Sequence, residues 1–193
     1  MRKVAKASSA TLALLLSLGA CSTSDAKFRP LAVGEPVPTF TVRTLAGDSA
    51  SVGPGEQLTL LNLWATWCGP CQEEFPELQQ LHQDYEGKGL RILAVSVDLG
   101  SDDGVRDFVS EHGATFTIGR DGQGRMQRLY QTVGLPETFL IGPDGKLLWR
   151  HFGALRPGAT DLRTRIDQLL GATGSASSAI SSRSKPSRRM RMS

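Results

Sequence analysis

The chain of 193 residues is short of the residues that several functional classes require. It has three cysteines and three scattered histidines. A structural zinc site takes about four ligands, and one cysteine pair with three scattered histidines does not supply a second pair, which argues against it. Three cysteines also cannot build a disulfide scaffold, and the odd number leaves one pair and one over. The net charge is only +3, part of it in the two ends, which is too small to argue for a nucleic-acid partner. The apolar run Thr11 to Leu18 is too short to span a bilayer, which takes about 20 residues. What remains, 39% hydrophobic and 21% charged, fits one globular domain with a real core and polar extensions.

The centre of the chain is Leu61-Asn62-Leu63-Trp64-Ala65-Thr66-Trp67-Cys68-Gly69-Pro70-Cys71. An apolar run that ends at Gly and Pro predicts a buried strand entering a tight turn. Phe75, Leu78, Leu81, His82 and Tyr85 follow at helical spacing. A Cys-x-x-Cys at a strand-to-helix junction is a redox motif. The start of a helix offers unpaired N–H groups and the positive end of the macrodipole, and both favour a thiolate. Cys68 is thereby expected to have a lowered pKa and to act as nucleophile, with Cys71 one turn on to resolve a mixed disulfide.

The stretch Trp67-Cys68-Gly69-Pro70-Cys71 resembles the thioredoxin active site residue for residue. The flanking Asn62-Leu63-Trp64-Ala65-Thr66-Trp67 and Glu73-Glu74-Phe75-Pro76-Glu77-Leu78 are similar to one branch, the membrane-tethered extracytoplasmic thiol-disulfide oxidoreductases of the TlpA, ResA and CcmG type. The resemblance covers roughly residues 33–170. It implies an α/β thioredoxin fold, a central mixed sheet flanked by helices on both faces, with an N-terminal β-hairpin and a helical insertion. It also implies a protein thiol-disulfide oxidoreductase without cofactor or metal, acting on disulfides of partner proteins and fed by a membrane thiol-disulfide donor. Reduction in cytochrome c maturation or at copper-site cysteines is the expected direction. A disulfide-forming oxidant and a Cu(I)-handling dithiol protein are the alternatives. A peroxiredoxin would need Pro at position 61 and Thr at position 65, where this chain has Leu61 and Ala65.

The same resemblance assigns further residues. Trp67, Gly69 and Pro70 form the active-site turn. Pro136, in Leu135-Pro136-Glu137-Thr138, matches a cis proline that faces the disulfide, so that the backbone of Leu135 pairs with an extended substrate segment. Thioredoxin has a buried Asp where this chain has Asn62, which cannot act as a base. Glu74 matches a glutamate near the cysteines in the TlpA-like branch and is the candidate proton carrier. Glu137 is either a substrate-selecting carboxylate or a solvated strand end.

The ends read as address and spacers. Arg2, Lys3 and Lys6 precede the short apolar run, and Leu18-Gly19-Ala20-Cys21 resembles a bacterial lipobox. That predicts a signal peptide over 1–20, lipidation of Cys21, a tether over 21–32 and placement on the periplasmic side of a membrane. Residues 33–171 form the domain. The final helix carries Leu162, Ile166, Leu169 and Leu170 on one stripe and stops at Gly171, and the basic, Ser-rich 172–193 is expected to be disordered. Within the domain, Asp102 and Asp103 are expected to cap a helix.

Overall fold

The structure is a computed structural model and describes residues 29–55 and 57–183, with backbone alone for 172–183. In chain order the elements are β1 (Phe40–Thr44), β2 (Ser49–Val52), β3 (Leu58–Trp64), α1 (Gly69–Tyr85), β4 (Leu90–Ser96), α2 (Asp103–Glu111), β5 (Thr117–Arg120), α3 (Arg125–Tyr130), β6 (Glu137–Ile141), β7 (Leu147–Phe152) and α4 (Thr160–Arg183). All seven strands form one sheet in the order β2-β1-β5-β4-β3-β6-β7. Strand β3 runs parallel to β4, and β4 to β5, while the remaining pairs are antiparallel. This is the expected mixed sheet. The hairpin β1–β2 joins it through β5.

Strand β3 is central and buried along its whole length. Its side chains alternate between the two faces, as the pleat requires. Leu58, Leu60 and Trp64 point into a core shared with Phe75, Leu78 and Leu81 of α1, Val105 and Phe108 of α2, and Leu162 and Ile166 of α4. Leu61 and Leu63 point the other way, into a core with Met126 and Tyr130 of α3 and Val42 and Val52 of the hairpin. With both faces covered, β3 and β4 read as nearly continuous apolar runs. Thr59 and Asn62 break the run of β3, and Asn62 lies on the α1 face.

Four expectations change. The tether does not extend to residue 32: Arg29 bonds to Glu35 and to Gln131, and Leu31 packs on the second core. Residues 1–28, with the signal peptide and Cys21, lie outside the described residues. Helix α4 does not stop at Gly171 but continues to Arg183. Glycine inside a helix costs about 1 kcal/mol and does not by itself end one, and no proline occurs before Pro186. Residues 172–183 are therefore helical rather than disordered, and 184–193 lie outside the described residues. Finally, Asp102 caps no helix with its side chain. It is drawn instead to Arg120 at 2.8 Å and Arg43 at 2.6 Å, an ion cluster that ties α2 to β5 and the hairpin.

Candidate active site

The turn after β3 leads directly into α1. Cys68 is the residue that precedes the helix, with extended backbone (φ −90°, ψ 103°), and its Sγ accepts a hydrogen bond from the Cys71 N–H at 3.3 Å. The two sulfurs are joined in a disulfide. Gly69 and Pro70 fill the first turn, where an N–H has no partner within the helix and proline costs nothing. Cys71 is fully buried and Cys68 keeps 6% exposure, so the sulfur nearer to solvent belongs to Cys68.

Both faces of the turn are held. Asp98, two residues beyond β4, accepts from the Thr66 N–H at 3.0 Å and from the Thr66 hydroxyl at 2.6 Å, and the Ser96 hydroxyl donates to it at 2.8 Å. Sequence reasoning missed Asp98. Its place at the carboxyl end of a parallel strand next to β3 was the available signal. The two tryptophans separate. Trp64 is buried between Phe75 and Phe108, with ring centroids at 4.5 and 4.9 Å, whereas Trp67 is 70% exposed beside the disulfide.

Glu74 sits on α1 three residues past Cys71, on the same side of the helix, and has no solvent exposure. The Asn62 side-chain amide donates to its Oε1 at 2.7 Å, and the Leu155 N–H donates to its Oε2 at 2.9 Å. Asn62 also donates to the Thr138 hydroxyl oxygen at 3.1 Å. Burial outweighs these bonds and raises the carboxyl pKa from an ordinary 4.5 to about 7.

That shift makes Glu74 a stability term with a definite sign. The folded chain binds its proton more tightly than the unfolded chain does. Stability is full below about 4.5 and falls as pH rises towards and through about 7. At alkaline pH the loss reaches about 3 kcal/mol. Glu74→Gln, which carries no charge to desolvate, is expected to flatten this decline. Denaturant midpoints of the oxidised protein and the variant at about pH 5 and about pH 8.5 check it. Equal losses in both proteins would remove Glu74 as the cause.

The bond between Leu135 and Pro136 is cis, and β6 begins at the next residue. Gly153 N–H donates to Pro136 O at 2.9 Å, which brings the end of β7 to this loop. Among the described residues, neither backbone group of Leu135 has a partner within the chain. Glu137 is neither solvated nor open to a ligand. It has no exposure, is paired with Arg150, and accepts from the Val133 N–H at 3.1 Å. Among the described residues no three or more His, Cys, Asp or Glu side chains are grouped to hold a metal ion.

A family model for the AhpC/TSA family matches residues 33–150. The chain belongs to the AhpC/TSA family. It is 36% identical over 123 residues to the thiol-disulfide oxidoreductase ResA of Oceanobacillus iheyensis, spanning 60% of this chain and 62% of that relative's length. It is 35% identical over 156 residues to ResA of Geobacillus thermodenitrificans, covering 76% of this chain and 87% of the relative. A crystal structure from Chlorobium tepidum, assigned as thiol:disulfide interchange protein DsbE, superimposes with a TM-score of 0.65 at 32% identity, over 72% of this chain and 99% of that one. Within the family the chain is thus of the thioredoxin-like, thiol-disulfide oxidoreductase type, with Cys68 and Cys71 as its cysteine pair.

Proposed function

We propose that the protein is a lipid-anchored, periplasmic thiol-disulfide oxidoreductase that reduces disulfides in partner proteins. The observation that carries this reading is a disulfide at the first turn of α1 with a buried, proton-binding carboxylate one turn further on.

The reduced protein starts the reaction. The helix start and its N–H groups stabilise a Cys68 thiolate, which attacks one sulfur of the partner disulfide. A mixed disulfide forms and the first partner thiolate leaves. The Glu74 carboxylate takes the proton from Cys71, and the Cys71 thiolate attacks Cys68 Sγ. The Cys68–Cys71 bond forms, the second partner thiolate leaves, and two electrons have passed to the partner. Both partner thiolates take up protons, one of them traceable to Glu74. A membrane thiol-disulfide donor restores the dithiol. A carboxyl that titrates near neutrality is suited to both halves of this transfer. Trp67 and the free backbone of Leu135 supply the docking surface, by apolar contact and by strand pairing. Cys21 carries the lipid. No helix among the described residues is long and apolar enough to cross a membrane.

The reduction potential of the Cys68/Cys71 pair tests the direction. Buried Trp64 and exposed Trp67 beside the disulfide give a fluorescence readout. A potential near the thioredoxin value of about −270 mV is expected. A value near about −120 mV would make the protein an oxidant and end the reductase reading.

A further inference from the structure

Asn62 is placed where a fixed hydrogen-bond pattern cannot serve both charge states of its neighbour. Its two amide hydrogens go to Glu74 Oε1 at 2.7 Å and Thr138 Oγ1 at 3.1 Å. Its Oδ1 is buried with no partner. An unpaired buried carbonyl costs about 1–3 kcal/mol, so this arrangement is not free. It suits a carboxylate, because both Glu74 oxygens then accept, one from Asn62 and one from the Leu155 N–H at 2.9 Å. A proton on Oε1 would instead set one donor against another. Turning the amide by half a rotation about its last torsion puts Oδ1 in the place of Nδ2. There it accepts from the acid O–H and from the Thr138 hydroxyl, whose hydrogen has no acceptor in the first arrangement. The second pattern leaves the amide nitrogen unpaired and the first leaves Oδ1 and the Thr138 hydroxyl hydrogen unpaired, so neither satisfies every group and the charge on Glu74 decides between them.

We infer that the Asn62 side-chain amide reverses each time Glu74 gains or loses its proton, which makes Asn62 and Thr138 positioning residues for proton transfer at the cysteine pair. The inference rests on the reading of Glu74 as proton carrier. It gives a reason for an amide at this position. A carboxylate at 62 would hold a second charge in the same buried pocket, and an aliphatic side chain would leave both states of Glu74 without a partner on β3.

The surroundings limit what else can move the amide. Across β4, Asn62 faces Ala94, and on β6 it faces Thr138. On α1 and α4, Glu77 is held by Arg163 and by the Gly158 N–H. The Glu137–Arg150 pair lies one residue out of phase on β6 and β7, on the other face. His151 is the register partner of Thr138 and shares its face. In the oxidised protein the cysteines do not titrate, and the imidazole on the face of Thr138 is that of His151.

The test is an NMR titration of the full oxidised chain from about pH 5 to about pH 9, reading the Glu74 carboxyl carbon and the Asn62 amide hydrogens together. Both amide hydrogens are expected to move upfield as pH falls, losing their acceptors, with the midpoint of the Glu74 carbon. Glu74→Gln, which mimics the acid, should keep them upfield at every pH. His151→Gln should leave the transition in place. Amide signals that stay fixed while Glu74 titrates would overturn the inference. So would a transition that vanishes in His151→Gln, or a Glu74 carbon that does not titrate over this range. The experiment needs no turnover. A potential in the oxidant range would end the reductase reading and leave this result standing, and a fixed amide would do the reverse.

Discussion

Cys68→Ser is expected to reduce protein-disulfide turnover to the uncatalysed rate, while Cys71→Ser is expected to accumulate covalent adducts with partner proteins. The two variants differ because the two sulfurs differ in access and role. Cys68 is the cysteine with residual exposure, and the Cys71 N–H points at its Sγ. A serine hydroxyl there has no accessible anion at neutral pH and cannot begin the exchange. Cys71 is fully buried and acts only after the mixed disulfide has formed. Without it the intermediate has no internal exit, so Cys71→Ser should retain partners through Cys68 as bands that disappear on treatment with dithiothreitol. Insulin-disulfide reduction reads the first variant and non-reducing electrophoresis the second. Full turnover in Cys68→Ser would refute the dithiol mechanism, and adducts formed by Cys68→Ser and absent from Cys71→Ser would exchange the two roles.

The second large effect is on stability. Glu137→Ala is expected to destabilise the fold by about 3–5 kcal/mol, because removing one partner of a buried pair strands the other. For a chain of this size that is a fall in Tm of about 10 °C. The Arg150 side chain is 15% exposed and lies over the Phe139 ring at 5.3 Å, so it has little water to turn to. The Val133 N–H, in the approach to the proline loop, would lose its acceptor as well. Glu137→Ala combined with Arg150→Met should recover much of the loss, since replacing both partners by apolar groups removes the stranded charge. Denaturant unfolding measures both. A loss below about 1 kcal/mol in the single variant would mean that the pair behaves like a surface ion pair.

Glu137 also marks the boundary of what could be read from sequence. The strand and helix around the Cys-x-x-Cys were legible because each is written locally, as an apolar run bounded by Gly and Pro and as a period of 3.6, while the mixed sheet and the hairpin came from the resemblance. Pro136 was legible through a motif around it. The destination of a polar side chain is written elsewhere. Glu137 reads as a solvated strand end until Arg150 of the neighbouring strand is placed beside it. Asp102 reads as a cap until Arg43, 59 residues away, and Arg120 are brought to it. The place of Asp98 at the end of β4 marked it as a candidate, but nothing near it in sequence named the Thr66 turn, 32 residues earlier, as what it holds. Glu74 was named through the resemblance, but its raised pKa comes from burial, which outweighs the opposing bonds from Asn62 and Leu155 on separate elements. The end of α4 failed for a different reason: Gly171 weakens a helix without forbidding it.

The way the chain enters the domain has a consequence for reach. Arg29 and Leu31 are bound to Gln131 and Arg150, at the end of the sheet where β6 begins and the proline loop lies. From there residues 34–36 run alongside Leu147 and Lys146, away from that end. With Cys21 as the lipidated residue, the eight steps to Arg29 can extend to at most about 29 Å. A leash of that kind would join the domain at the end of the sheet that carries the proline loop. Such a domain would rotate about its own active end, keeping the cysteines within a thin layer above the lipid. Donors embedded in that layer would meet the disulfide at high effective concentration, while partners further out would have to come to it.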